Sequence, residues 1–257
     1  MAVCVRAEPL EGFARALLEA AGVPHDQAVT VARSLIEANL RGLDSHGVMR
    51  VPYYVEAIEG QRIRLDAPLR IVRRGTAYMV VDAGWGLGQV QMHRLLQQLT
   101  ALAAREGLAA AAVQRLGHIG RVGEYAEAAA AEGFVSLFFV NTHGAAQRVA
   151  PFGGRAPRLG TNPLCFGIPT EHDPLILDFC TSATAEGKVR VKRIAGEPVP
   201  QGWLIDAEGR PTTDPNVIYD EPRGAILPFG GPQGYKGFGL ALVVDILAGA
   251  LSGGRTA

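Results

Sequence analysis

"LGHIGRVGEYAE", residues 116–127, is the stretch whose reading decides the fold. Its glycines, Gly117, Gly120 and Gly123, follow an apolar run, "LAAAAV" (108–113), and precede a helical pattern, "RVGEYAEAAAAEG" (121–133). A phosphate-cradling turn of the Rossmann type would sit at such a junction. That turn needs G-x-G-x-x-G, with an acid about 20 residues further on. Here the spacing is G-x-x-G-x-x-G and His118 fills the second slot. The next apolar run, "FVSLFFV" (134–140), ends in Asn141 and Thr142 rather than in an acid. The match to a Rossmann turn is poor. Two readings stay open for His118. Flanking glycines can present its imidazole, which titrates near neutral pH, for proton transfer. Alternatively, the ring is simply hydrogen-bonded to nearby backbone.

Working outward, the segments around this loop alternate in type. "PLEGFARALLEAAG" (9–22) places Leu10, Phe13, Leu17 and Leu18 on one helical face and stops at Gly22 and Pro24. "DQAVTVARSLIEANLRG" (26–42) repeats the pattern, and "VMRVPYYVEAIEG" (48–60) predicts a third helix with Pro52 in or near its first turn. "LRIVRRGTAYMVVDAG" (69–84) predicts two strands around Gly75, and "GQVQMHRLLQQLTALAAREG" (88–107) a long helix. "LAAAAVQ" is short enough for a strand, and "FVSLFFV" predicts a buried one. This middle block reads as an α/β layer. "LCFGIPT" (164–170) and "LILDFC" (175–180) predict adjoining strands turned at "EHDP". "SATAEGKVRVKRIAG" (182–196) predicts a helix with Ser182 a candidate N-cap. Residues 199–225 read mostly as loop, and 234–254 as an apolar helix.

Bulk properties narrow the class. A chain of 257 residues, 48% hydrophobic and 19% charged, buries a sizeable core and is globular. Basic and acidic residues balance at 25 each, with no basic run, so nucleic acid is not an expected partner. No stretch approaches the roughly 20 apolar residues of a membrane span, and no export signal is seen. The three cysteines, Cys4, Cys165 and Cys180, are scattered, which fits reduced thiols in a cytoplasm better than a disulfide framework.

Other stretches carry candidate chemistry. "GLDSHGVMRVPYY" (42–54) sets Asp44, Ser45 and His46 in a loop, with Arg50 a helical turn beyond His46. A guanidinium fork binds a carboxylate bidentately, so a proton donor beside Arg50 suits a small 2-oxo or 2-hydroxy acid. The bland alternative is an N-cap at Asp44 or Ser45 with Arg50 on a solvated face. "FGGPQGYKGFG" (229–239) fails the P-loop pattern, because Lys236 precedes glycine and no hydroxyl follows. Its glycines leading into a helix can still hold an anion, with Lys236 adding charge; the alternative is a plain flexible loop. Asp178, ending an apolar strand before a run of hydroxyl residues, reads equally as a ribose or amide contact and as part of a capping cluster.

Taken together, "LDSHGVMRVPYY", "GHIGRVGEYAEAAAAEG", "VNTHG", "PFGGRAPRLGTNPLCFGIP", "LDFCTSATAEGKV" and "GYKGFGLALVVDIL" resemble, in the expected order, the malate/L-lactate dehydrogenase family, whose NAD(P)H-binding fold is not a Rossmann fold. The resemblance implies an α/β chain with an N-terminal helical segment (1–66) lining the substrate site and a mixed-sheet cofactor domain (67–257). It implies hydride exchange between NAD or NADP and a small 2-hydroxy acid, 2-oxo acid or cyclic imine, in a homodimer. By the same likeness His118 is the general acid/base, with His46 beside it in the catalytic set. Ser45, Arg50, Thr142 and Lys236 are substrate contacts, and Arg50 is the carboxylate clamp. Gly120, Asn162, Asp178, Phe179, Cys180, Ser182, Gly230, Gly231 and Gly234 are cofactor contacts. Family members run on past residue 257, which predicts that a C-terminal segment is missing here. Two other functions stay in view. One is a non-catalytic relative that binds nucleotide or a partner chain. The other is a metal enzyme ligated by His46, His118 and His143, although no ligand spacing supports it.

Overall fold

The structure is a computed structural model that describes residues 4–142 and 146–256. His143 of the metal alternative lies outside the described residues. The chain divides into two compact units, one running to Glu132 and the other starting at Gly133. The expected domain boundary after Asp66 falls inside the first unit, which holds both the N-terminal helices and the first sheet.

In the first unit, α1 (Ala7–Ala20) and α2 (His25–Leu40) form a hairpin through Gly22, whose φ of +89° ends α1. α3 (Val51–Glu59) packs on that pair with Pro52 in its first turn. Leu18, Val31, Leu35, Tyr54, Leu87 and Val90 share one core. Each full-sized apolar side chain buried there contributes about 1.5–3 kcal/mol. β1 (Arg70–Arg74) and β2 (Tyr78–Asp82) pair antiparallel around Gly75. The chain returns through α4 (Gly88–Glu106), which Gly107 ends at φ +80°, and lays β3 (Ala110–Gln114) parallel to β2. α5 (Gly123–Ala131) follows. The end of β2 is pinned by Asp82, 2% exposed, which accepts from Arg115, Arg70 and the Gly84 amide. Hydrogen bonding from Arg115 leads these contacts in lowering its carboxyl to about 2.

The second unit holds an antiparallel sheet of β4 (Ser136–Phe139), β5 (Pro163–Ile168) and β6 (Leu175–Cys180). α6 (Glu186–Ala195) and the terminal α7 (Gly234–Asp245), which runs on as a π-helical turn over Ile246–Ala250, belong to it. Its core joins Val149, Leu159, Val189, Leu204, Ile218, Ile226 and Ala241. Among the described residues no helix is long and apolar enough to cross a membrane.

Four local expectations change. β4 does not extend the sheet of β3; it pairs with β5, because Leu137 and Phe139 align with the apolar Phe166 and Leu164. Nor is that strand wholly buried, since Leu137 is 50% exposed. Ser182 is not an N-cap: α6 starts at Glu186 after Ala185, and the Ser182 hydroxyl donates to the Thr184 carbonyl at 2.7 Å. The 199–225 stretch is not mere loop. It pairs β7 (Leu204–Ile205) with β8 (Pro211–Thr212) and β9 (Ala225–Ile226) around buried Ile218.

Candidate active site

The glycines of the opening stretch serve protein packing. A Cβ on Gly117 would lie 2.6 Å from the Gly86 carbonyl, and one on Gly88 would overlap the His118 carbonyl. The 116–118 backbone is thus pressed against the start of α4. Gly120, at φ +71°, is buried with Ser34 Oγ and Gln89 Nε2 at 3.2 and 3.4 Å from where its Cβ would be. A side chain at Gly120 would therefore crowd Ser34 and Gln89. Gly123 is buried in α5. A loop clamped in this way leaves no phosphate cradle at Gly117 and fixes where His118 stands.

His118 is half-buried. Its Nδ1 lies 2.7 Å from Tyr54 Oη and takes a longer bond, 3.3 Å, from the Gly120 amide. Tyr54 Oη in turn accepts from Gln89 Nε2 at 2.7 Å. Burial holds the Tyr54 phenol above its usual range, so its proton stays on and is donated to Nδ1. With Nδ1 an acceptor, the neutral ring carries its proton on Nε2. Nε2 has no hydrogen-bond partner among the described residues. Desolvation, then the Arg50 charge, then His46, push the His118 pKa well below the ordinary histidine value. His118 is therefore a ring with one nitrogen held by protein and the other available.

The 44–50 loop supplies the rest. Asp44–His46 and Val48–Arg50 form two single 3₁₀ turns broken at Gly47, and neither is capped by a side chain. Asp44 instead accepts from Asn39 Nδ2 at 2.5 Å, and Ser45 Oγ meets His46 Nδ1 at 2.9 Å. The N-cap alternative for Asp44 and Ser45 therefore does not hold. His46 stacks on His118, with ring centroids 5.7 Å apart and planes inclined by 22°. Arg50 does not share a continuous helix with His46. Its Nε donates to the Ser45 carbonyl at 2.7 Å, and its terminal nitrogens have no hydrogen-bond or ion-pair partner among the described residues. The solvated-face alternative fails too, since Arg50 is half-buried. A guanidinium oriented through Nε presents its other edge as a fork for a carboxylate.

Tyr54 and Gln89 escape a reading of the sequence alone. Tyr54 lies a helical turn beyond Arg50, a spacing that would have marked it. Gln89 gives only a weak signal, a glutamine in the first turn of a mostly apolar helix face.

The remaining candidates stand in the second unit. Thr142 Oγ1 and Asn162 Oδ1 edge a gap left by Gly160, whose Cβ would lie 2.8 and 2.7 Å from them. Asn162, at φ +37°, is tied by Nδ2 to the Ala241 carbonyl at 3.0 Å, while its buried Oδ1 has no hydrogen-bond partner among the described residues. An orphaned acceptor of this kind suits an amide N–H, which the carboxamide of a nicotinamide brings. Asp178 is exposed on β6; Phe179 and Cys180 are half-buried after it. Gly230 and Gly231, at φ +115° and +56°, turn the chain into α7, and nothing fills the space where a Gly231 Cβ would stand. Gly234 is buried against Phe152 and Pro228. Lys236 is exposed, with Nζ 5.9 Å from the Tyr235 ring centre. The Ser182 hydroxyl is already engaged by Thr184. Among the described residues no group of histidines, cysteines and acids could hold a metal ion.

A histidine with one available ring nitrogen and a guanidinium with an open edge, on a mixed α/β chain, form an arrangement suited to chemistry on a small carboxylic acid. Residues 5–257 match the malate/L-lactate dehydrogenase family. Hydroxycarboxylate dehydrogenase B of Escherichia coli O157:H7 is 43% identical over 251 residues, 97% of this chain and 68% of that protein. L-lactate dehydrogenase of Cupriavidus necator is 42% identical over 246 residues, 95% of this chain and 70% of that protein. The structure of malate dehydrogenase from Pyrococcus horikoshii OT3 superposes with a TM-score of 0.87 at 36% identity, covering 99% of this chain and 69% of that one. The chain belongs to the malate/L-lactate dehydrogenase family.

Proposed function

We propose that the chain exchanges a hydride between NAD or NADP and a small 2-hydroxy or 2-oxo acid, with His118 as the general acid/base and Arg50 as the carboxylate clamp. One observation carries this reading. In the first unit a guanidinium with an open edge and an imidazole with an open Nε2 are each fixed by hydrogen bonds to protein. The relatives named above act on acids of this class.

Arg50 holds the substrate carboxylate and so sets which carbon faces the reaction. Ser45 and His46 line the same loop and bound the space for the rest of the molecule. His118 holds a proton at Nε2 and gives it to the oxygen on C2 in reduction, or takes it back in oxidation. Asn162 would receive the cofactor's carboxamide, with Asp178, Phe179, Cys180 and the 230–234 glycine turn as further contacts in the second unit. Thr142 and Lys236 are further substrate contacts in this reading. The bound nicotinamide supplies or accepts the hydride. The chain works as a homodimer in a reducing cytoplasm; among the described residues no disulfide joins its three cysteines, Cys4, Cys165 and Cys180, which supports the reducing compartment.

The test is absorbance-followed oxidation of NADH and NADPH by the purified chain with a panel of 2-oxo acids and cyclic imino acids. Turnover with at least one 2-oxo acid is expected. Substrate-independent cofactor binding without any turnover would favour a non-catalytic nucleotide-binding relative instead.

A further inference from the structure

The hydrogen bonds behind His118 run in one direction, and acceptance of the substrate's proton at Nε2, the oxidative half of the proposed chemistry, requires the other. Gln89 donates to Tyr54, and Tyr54 donates to His118 Nδ1. This chain fixes the neutral ring as the Nε2–H tautomer. A ring that accepts the substrate's proton at Nε2 must instead carry its own proton on Nδ1. Nδ1–H then needs an acceptor, and Tyr54 Oη is the atom at 2.7 Å. The Tyr54 proton, displaced from that bond, needs an acceptor in turn. Tyr54 and Gln89 are both fully buried, so water is not at hand. Gln89 Oε1 is a buried acceptor with no hydrogen-bond partner among the described residues. Rotation of the amide by half a turn brings that oxygen to the place of Nε2, 2.7 Å from Tyr54 Oη.

We propose that Gln89 is a positioning residue whose buried amide turns over, carbonyl for amino group, so that the Tyr54 bridge serves both the resting and the catalytic forms of His118. In the resting form the bonds run Gln89 N–H to Tyr54 O–H to Nδ1. In the catalytic form they run Nδ1–H to Tyr54 O–H to Gln89 C=O. Oxidation then balances as follows. The substrate O–H proton passes to Nε2, the C2–H bond breaks with its electron pair going to the nicotinamide, and the C2 carbonyl forms. His118 ends as an imidazolium and later releases the Nε2 proton to solvent. Reduction is the reverse.

The other charged or titratable groups that face this chain are few. Arg50 and His46 face His118 from the 44–50 loop, and Tyr53 meets its ring edge from α3. Glu124 and Tyr125 of α5 face Tyr54, and Glu124 is itself bonded to Ser34 of α2 and His93 of α4. None of these lies on the Gln89–Tyr54–His118 line of hydrogen bonds. The Gly120 amide loses its long bond when Nδ1 becomes a donor, which favours the resting form in the absence of substrate.

This inference rests on His118 being the acid/base, and its test does not need turnover. ¹⁵N NMR of the wild-type chain would follow the His118 ring and the Gln89 side-chain amide from pH 8 downward through the His118 midpoint, which burial and Arg50 place well below the ordinary histidine value. The neutral ring is expected as the Nε2–H tautomer, and the Gln89 amide signals are expected to titrate with the same midpoint as His118. Amide signals that stay still through that titration would overturn the proposal. Gln89→Glu gives a second reading, taken at a pH where the introduced side chain is shown by its ¹³C carboxyl shift to be ionised, because a carboxylate can only accept. The neutral ring should then switch to Nδ1–H, its midpoint should rise by about one unit or more, and kcat should follow that shift with KM within about twofold. An unchanged tautomer and midpoint in a folded Gln89→Glu variant would also overturn it. A moving amide in a protein that turns over no substrate would leave the relay standing and refute the catalytic reading alone.

Discussion

At the scale of single residues, the site depends on two orientations, and each can be broken singly. Arg50 is useful because Nε is tied to the Ser45 carbonyl and the terminal nitrogens have no partner among the described residues. Lysine keeps the charge and loses both the tether and the fork. Arg50→Lys should raise KM for the acid by about 10- to 100-fold with a smaller change in kcat, read by steady-state kinetics. An unchanged KM would place the carboxylate elsewhere. The sequence made His118, His46, Ser45 and Arg50 visible, because polar residues bracketed by glycines in loops stand out. Tyr54 and Gln89 stayed hidden. Each occupies a helix face that otherwise reads as core, and periodicity marks burial without saying what a buried hydroxyl or amide bonds to.

At the scale of elements, the decisive feature is the contact between the 116–118 loop and the start of α4. Backbone meets backbone there, so neither Gly88 nor Gly117 can carry a side chain without displacement. Gly88→Ala removes helix-destabilising glycine and would help an isolated helix. Here its methyl would overlap the His118 carbonyl, so the net expectation is a loss of about 1–3 kcal/mol in stability together with reduced kcat. Thermal melts and steady-state rates check both; a higher melting temperature with full activity would mean that the loop is not clamped. The glycine spacing suggested a tight loop correctly. It could not say that the partner pressed against it was another stretch of the same chain.

At the scale of the molecule, most helices and strands were legible from periodicity and punctuation: Gly22, Gly75 and Gly107 end or turn the elements where expected. Sheet membership was not. β3 and β4 flank one short helix, as in a continuous α/β layer, yet β4 pairs with β5. Nothing local to "FVSLFFV" encodes which strand it will meet. The same limit hid β7, β8 and β9, whose two-residue strands are too short to show any alternation. Two compact units thus divide the proposed work. The first holds the proton-transfer and carboxylate-binding residues, and the second offers the amide acceptor and glycine turn assigned to the cofactor.

The most direct measurement compares wild type with His118→Asn, using cofactor deuterated at the transferring position and the 2-oxo acid that the panel selects. Wild type should place deuterium on C2 of the product. His118→Asn should bind the cofactor with unchanged affinity and turn over at least about a hundredfold more slowly. Turnover by His118→Asn at the wild-type rate, or product without deuterium at C2, would contradict the account.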